Sequence, residues 1–295
     1  MAADDARVVV TGMGLIHGLG QGVDALLDEL DAGDEPLEPG DVAECLDFDP
    51  EQLRESSKTY MDRCADLLLG ACYLAVRDAH EDWSGPENSR IAGERSGVSI
   101  GTAFGPTESM LNMTGRVQSK GLRFGSPMIF THTFVNAPAG LVSIEYGLQG
   151  PCMTHVLGDQ SGGAALAYAL SMLRCERADM ILAGGVDALS RPLLAALDAS
   201  GDKRPVGEAA AVLVLETADA ARARGARVLA ELVADADLAQ ARRVSAPAAC
   251  GHTFGASVAL SAAVCAGLIA RGKTGPLVAT PPDDSAPIIF REWAD

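Results

Sequence analysis

The residues most able to do chemistry sit in one stretch, GPCMTHVLGDQSGGAALAYALSMLRCERADMILAGGVDALS, which runs from Gly150 to Ser190. An acid, an amide and a hydroxyl, Asp159-Gln160-Ser161, stand together in front of two glycines and a run of small residues. The pattern predicts an extended run over 152–157, a tight corner at 158–160, a helix over 161–174 and a strand over 180–183 closed by Gly184-Gly185. Such an elbow lifts one side chain to a helix N-terminus, where unpaired backbone N–H groups and the helix dipole favour negative charge. Asp159 there can cap the helix, and Gln160 can do the same or reach across an interface. The second candidate is His252, in Cys250-Gly251-His252-Thr253-Phe254-Gly255-Ala256, ahead of an apolar helix whose end it can hydrogen-bond. Ser161 with His252 as its base would suggest an esterase, but the hydrolase elbow GxSxG needs glycine where Asp159 stands.

Those elements need a core around them, and 295 residues with 48% hydrophobic content can supply one. A net charge of −17 argues against nucleic acid or an anionic membrane as partner, since both call for a basic face. The seven cysteines, Cys45, Cys64, Cys72, Cys152, Cys175, Cys250 and Cys265, contain no CxxC pair. Metal binding and a disulfide framework are therefore poor readings, and neither metal nor cofactor is expected. Cys152 and Cys250 read as small buried hydrophobes. MAADDARVVV has acid where a secretion signal needs base, so a cytoplasmic chain with reduced thiols is expected. The apolar stretch 256–270 is too short to span a bilayer comfortably and reads as a buried core helix.

In chain order, residues 7–11 predict a strand that enters a glycine corner at Gly12-Met13-Gly14. The spacing there is GxGxxxG, with no acid-tipped second strand, so dinucleotide binding is a poor reading. A short amphipathic helix follows over 22–30, then an acidic loop over 34–50. Apolar positions at helical spacing predict a long core helix over 57–80, with His80 at its end as a cation or exposed residue. Residues 96–101 predict a buried strand and 107–117 a helix carrying Met110, Leu111 and Met113, for which core packing is the plain reading. Helices are expected over 137–146 and 218–224, strands over 211–215 and 228–233, and a last strand over 286–293.

The layout and wording of this chain resemble the β-ketoacyl synthases, condensing enzymes of the thiolase fold, whose elbow reads roughly GPxxxxxTACxSG before a helix and a strand ending in AGG. The opening VVVTGMG, the shortened phrase Asp202-Lys203-Arg204-Pro205-Val206-Gly207-Glu208-Ala209 and the run at 221–233 match further family phrases. Counted without gaps, the family's reactive cysteine falls on Asp159, or one place on at Gln160. The string Asp159-Gln160-Ser161-Gly162-Gly163 is similar in character to the EQAGG of chain-length factors, the partner subunits of type II polyketide ketosynthases.

The resemblance implies a layered α-β-α-β-α thiolase-like fold, with a complete first half at 1–222 and a shortened second half at 223–295. The family segment with the first active-site histidine has no counterpart, nor has its NSFGFGGTN loop; His252 matches the second histidine. The expectation is a chain with no catalysis of its own, Asp159, Gln160 and His252 being vestigial. It would form a heterodimer with an active ketosynthase, meet acyl carrier protein mainly through that partner, and set polyketide length, in keeping with highly reducing polyene systems. Met110, Met113, Met128, Ile129 and Phe134 are then expected at the tunnel wall and interface, with His132 a satisfied interface residue. The alternatives are a residual enzyme, such as a malonyl-carrier decarboxylase or esterase, and a scaffold subunit of another ketosynthase-like complex.

Overall fold

The computed structural model describes residues 6–33, 35–53, 61–80, 93–233, 241–279 and 288–294. The chain runs β1 (Val8–His17), β2 (Gly20–Gln21), α1 (Asp24–Ala32), β3 (Val42–Ala43), α2 (Arg63–Ala79), β4 (Ser96–Gly101), α3 (Thr107–Lys120), α4 (Pro127–Phe130) and α5 (Ala137–Tyr146). It continues β5 (Cys152–His155), α6 (Ser161–Arg174), β6 (Met180–Asp187), α7 (Arg191–Ser200), β7 (Val206–Gly207) and β8 (Ala209–Thr217). Last come α8 (Ala218–Ala223), β9 (Ala230–Val233), β10 (Arg242–Val244), α9 (Ser257–Ala270), β11 (Leu277–Ala279) and β12 (Ile288–Arg291).

One mixed sheet carries the order β10-β11-β12-β9-β1-β8-β6-β4-β5. β4 pairs in parallel with β5 and β6, whereas β8 is antiparallel to both β6 and β1. Helix α9 packs against β6 and β8 and also against β10, β11 and β12. Strands are about 4.8 Å apart, so β6 and β10 would lie too far apart on a flat sheet for one helix to touch both. The sheet therefore curls around α6 and α9, while α2 and α5 cover its outer face and bury Leu68, Cys72, Val142 and Tyr146. The result is helix, sheet, helix and sheet in layers, the thiolase-like arrangement with its last helical layer missing among the described residues. Helix α9 is buried nearly all round, as its uniform apolarity requires.

Several sequence expectations change on folding. The glycines of TGMG form no corner: β1 continues through them with a register shift between Val10 and Gly12, and α2 lies so close that a Cβ on Gly14 would strike the Ala71 carbonyl. Likewise β6 does not stop at Gly184-Gly185 but continues to Asp187, since a Cβ on Gly184 would collide with the carbonyl of Ala211 on β8. In both places glycine serves close backbone approach rather than a turn. Helix α2 begins at Arg63, capped by the Asp62 carboxylate, which accepts from Cys64 N–H and also binds the Ser109 hydroxyl. The 57–60 part of the expected helix and the 286–287 part of the last strand lie outside the described residues. His80 is buried rather than exposed. Met110 and Leu111 are exposed, not core, and Ser109 is the buried residue of α3. Cys152, expected inside, is exposed on β5, whereas Cys250 is buried.

The C-terminal strand is clasped to the first one by charge. Glu231 on β9, buried, accepts bidentate pairs from Arg7 at 3.1 and 2.9 Å and from Arg291 on β12 at 2.9 and 2.9 Å, and Arg7 stacks 3.8 Å from the Trp293 ring. Burial pushes the Glu231 carboxyl up, but the two guanidiniums outweigh it and hold it below the usual carboxylate value.

Two outcomes test this architecture. Gly14→Ala is expected to lower stability by about 3 kcal/mol, read as a shift in the urea midpoint, because the added methyl has no free volume. A carboxyl with a lowered folded-state pKa stabilises the fold above its unfolded value and loses that contribution as pH falls through the folded one. Once the pH falls below the usual carboxylate range the clasp should therefore open, shifting Trp293 emission in a Trp83→Phe background, and Glu231→Gln should remove that acid transition.

Candidate functional site

Strand β5 ends at His155, and the chain turns through Gly158, with φ +59°, into α6. The turn is fixed by Ser161. Its hydroxyl accepts from Leu157 N–H at 2.8 Å and faces the carbonyls of Gly158 at 2.6 Å and Thr102 at 3.0 Å as donor, and the side chain is fully buried. This serine is a structural tie and is not presented to a substrate. Gln160 holds the N-cap position but makes no side-chain capping bond.

Asp159 behaves differently from the helix cap expected of it. Its Oδ2 lies 3.0 Å from His252 Nε2, across 93 residues of sequence. The acid is 36% exposed and the imidazole 15%. The ring's other nitrogen, Nδ1, accepts the Phe254 N–H at 3.4 Å, so the ring proton belongs on Nε2 and is donated to Asp159. The backbone of His252 is pinned as well: its N–H donates to Pro205 O at 2.8 Å, and its carbonyl accepts from Gly207 N–H at 3.1 Å. Two of the three positions read as vestigial are thus assembled into one acid–imidazole pair.

What places the imidazole is a residue that the sequence reading passed over. Asp187, at the end of β6, is buried, and its two oxygens accept four hydrogen bonds: Thr102 Oγ1 at 2.7 Å, Ala103 N–H at 2.8 Å, Phe104 N–H at 2.9 Å and Gly255 N–H at 2.7 Å. Burial pushes its carboxyl above the usual value, against the pull of those donors. The carboxylate ties the turn after β4 to the 3-10 turn at Phe254–Ala256 that leads into α9. Phe254 sits in the left-handed region at φ +48°, with its buried ring edge-on to both Phe104 at 5.0 Å and His252 at 4.8 Å. A non-glycine residue is held there only when its surroundings over-determine it. The available signal in the sequence was an acid directly after an apolar strand, Val186-Asp187.

His252 also forms part of the wall of a cavity of about 730 Å³. Pro36, Leu37, Pro247 and Ala248 give it apolar surface, and Arg204 and Arg243 are its charged lining. Arg204 is held by Asp202 at 2.8 Å. The expected tunnel-wall residues lie apart from this cavity, on α3, α4 and the turn after α4. Met110, Met128 and Phe134 are exposed, and Met113 and Ile129 are half-buried. No helix among the described residues is long and apolar enough to cross a membrane.

The family model described as "Beta-ketoacyl synthase, N-terminal domain" matches residues 5–221. The chain belongs to the β-ketoacyl synthase family. It is 30% identical over 267 residues to the tetracenomycin polyketide synthase ketoacyl synthase alpha subunit of Streptomyces glaucescens, which covers 77% of this chain and 62% of that protein. It is 29% identical over 259 residues to 3-oxoacyl-[acyl-carrier-protein] synthase 2 of Coxiella burnetii, with the same two shares, 77% and 62%. The chain thus spans about 62% of the length of these relatives. Among solved structures, the ishigamide ketosynthase/chain length factor superposes with a TM-score of 0.79 at 19% identity, covering 98% of this chain and 100% of that one. A type II polyketide synthase acyl carrier protein in complex with its ketosynthase, bound to the hexaketide, gives 0.81 at 19% identity, with coverage of 98% and 100%. These superpositions show the ketosynthase fold.

The comparisons correct one expectation. A chain with no catalysis of its own was inferred by counting lost side chains, yet the curated relatives are named as synthases and a ketoacyl synthase subunit, which points to an enzyme. The count missed that the acid at the elbow is engaged by the retained imidazole.

Asp187→Asn should cost about 3 kcal/mol in a urea titration, because the amide nitrogen would be turned against N–H donors that a carboxylate accepts. Ser161→Ala, which removes a buried tie at the same elbow, should cost about 1 kcal/mol.

Proposed function

We propose that this chain is a chain-length factor in a type II polyketide synthase, a ketosynthase-family subunit that pairs with a ketosynthase and helps to wall the acyl tunnel between them. The observation that carries this reading is the open edge of β5. It is the terminal strand of the sheet order, so one row of its backbone N–H and C=O groups has no strand beside it among the described residues. The side chains around it are apolar and exposed: Met153 at 40%, Val156 at 49%, Leu157 at 58% and Ile144 on α5 at 73%. Unpaired edges are templates for another chain, and exposed apolar surface of this extent marks an interaction site.

Helices α3 and α4 carry further exposed apolar groups, and Phe130 stacks edge-on with Phe134 at 5.0 Å. Groups of this kind suit the wall of an acyl tunnel that a partner closes, with Met110, Met113, Met128, Ile129 and Phe134 as the side chains a growing chain would meet. Bulk there limits length by overlap, since packed interiors do not absorb extra methylenes cheaply. In this reading residues 1–222 form the first thiolase-like half and 223–295 a shortened second half. The acyl substrate arrives as a thioester on an acyl carrier protein, docked mainly on the partner, and the products are of the highly reduced, polyene kind. Support comes from the resemblance of the elbow string and from the type II polyketide synthase proteins among the relatives.

Co-expression with a cognate type II ketosynthase should yield a stable heterodimer on size exclusion. Met153→Arg or Ile144→Arg should weaken pairing about tenfold or more, because each puts a charge in the centre of the apolar face. Failure of the unaltered chain to co-purify defeats the pairing. Met110→Ala or Ile129→Ala should shift the product mass upward by whole extender units, and an unchanged length distribution in both removes them from the wall.

A further inference from the structure

We propose that the Asp159–His252 pair is a hydrolytic centre for acyl thioesters, in which Asp159 is the general base that activates a water molecule. The substrate class rests on the reading given under Proposed function; the chemistry rests on the geometry of the pair.

With Nδ1 accepting the Phe254 N–H and Nε2 donating to Asp159, the imidazole offers no lone pair to a substrate. The basic atoms at the elbow are those of the carboxylate. Oδ2 is held by the imidazole, and the side chain is 36% exposed, so water reaches it. Other nucleophiles are poorly placed. The Ser161 hydroxyl is sealed among Leu157, Gly158 and Thr102. Cys250 is buried, and the exposed Cys152 and Cys175 lie on β5 and at the far end of α6. A carboxylate at this place forms no stable thioester, so a water route is the chemistry it can sustain. Of the pair, His252 lines a cavity of about 730 Å³, in the size range of sites that hold small organic ligands, so a thioester arm held there would approach Asp159 from the imidazole side.

The step balances without any oxidant or cofactor. Water oxygen attacks the thioester carbonyl carbon while a carboxylate oxygen of Asp159 takes one water proton, and the carbonyl π pair moves onto oxygen. As that pair returns, the C–S bond breaks and the departing sulfur takes the proton back from Asp159. The products are a carboxylic acid and a free thiol. His252 is a positioning residue, holding the carboxylate in one orientation through its Nε2 proton. Such an activity would remove acyl groups that have stalled on their carrier thiol.

The test uses the butyryl thioester of N-acetylcysteamine, with thiol release followed by a colorimetric disulfide reagent. The unaltered chain should release thiol, and Asp159→Asn, nearly identical in shape, should lose about 100-fold of that rate while keeping its circular dichroism and urea midpoint. In ¹⁸O-water under single turnover the label should appear in butyrate and not in Asp159. Long-range ¹⁵N correlation should place the His252 ring proton on Nε2. Thiol release equal in the unaltered chain and Asp159→Asn, or none above buffer, overturns the proposal. So does label found in Asp159, which would make it a nucleophile, or a ring proton on Nδ1. Co-purification with a ketosynthase does not depend on any of these outcomes, so the pairing and the hydrolysis stand or fall separately.

Discussion

The position of the site depends on one buried charge. Asp187 gathers four donors from two turns that are far apart in sequence, at 102–104 and at 255, and it sits at the end of the strand between them in space. A carboxylate in an apolar interior is costly unless its lone pairs are answered, and here the answering groups are three backbone amides and one hydroxyl. Because they are backbone groups, satisfying the charge also fixes the course of the chain. The Phe254 turn has nowhere else to go, its strained φ is tolerated, and its amide is delivered to the imidazole of His252. The same carboxylate orients the start of the α3 region through Phe104, whose ring meets Phe254. The start of the α3 region and the acid–imidazole pair are thus anchored to a single point.

Close packing around that point needs small residues. Gly162 at the head of α6 faces Gly255 and Ala259, and Gly163 faces Val258, so α6 and α9 approach nearly backbone to backbone. Larger side chains there would push α9 outward and carry the Phe254 turn, with its bond to His252, away from Asp159. The run Ser161-Gly162-Gly163-Ala164-Ala165 is therefore a packing requirement of the site as much as of the fold. The curled sheet supplies the other wall, and the Glu231 clasp with Arg7 and Arg291 ties its last strand to its first.

Much of this was legible in the sequence. Local pattern places α5, α6 and β4 at their observed ends, and α9 follows from its uniform apolarity, because each can be read from its own residues. The glycines of β1 and β6 misled for a physical reason: in isolation a glycine pair signals a turn, and only the helix or strand lying against it turns that signal into close approach. Asp159 and His252 were each singled out, but not their contact, which is made across 93 residues and depends on the α6–α9 approach. Asp187 was missed because an acid at a strand end looks solvated until the turns that surround it are in place. Helix α3 was ambiguous, since methionines at helical spacing suit a core and an exposed apolar face equally well; only the fold shows that Met110 is exposed.

A last consideration is why an acid at the elbow should be joined to an imidazole in the donor tautomer. A thiolate at a helix N-terminus would be stabilised by the dipole and would attack an acyl carbon itself. A carboxylate is a weaker nucleophile than a thiolate toward a thioester, and a water molecule activated by it stores no acyl group on the chain. The imidazole that in a condensing site would polarise a thioester carbonyl is here committed to Asp159 at 3.0 Å, and its second nitrogen is committed to Phe254. Both ring nitrogens are therefore engaged within the chain, and the imidazole holds the carboxylate in one orientation. The elbow thus presents a fixed, partly exposed carboxylate joined to an imidazole that lines a cavity. In the hydrolytic proposal, that arrangement passes an acyl group to water.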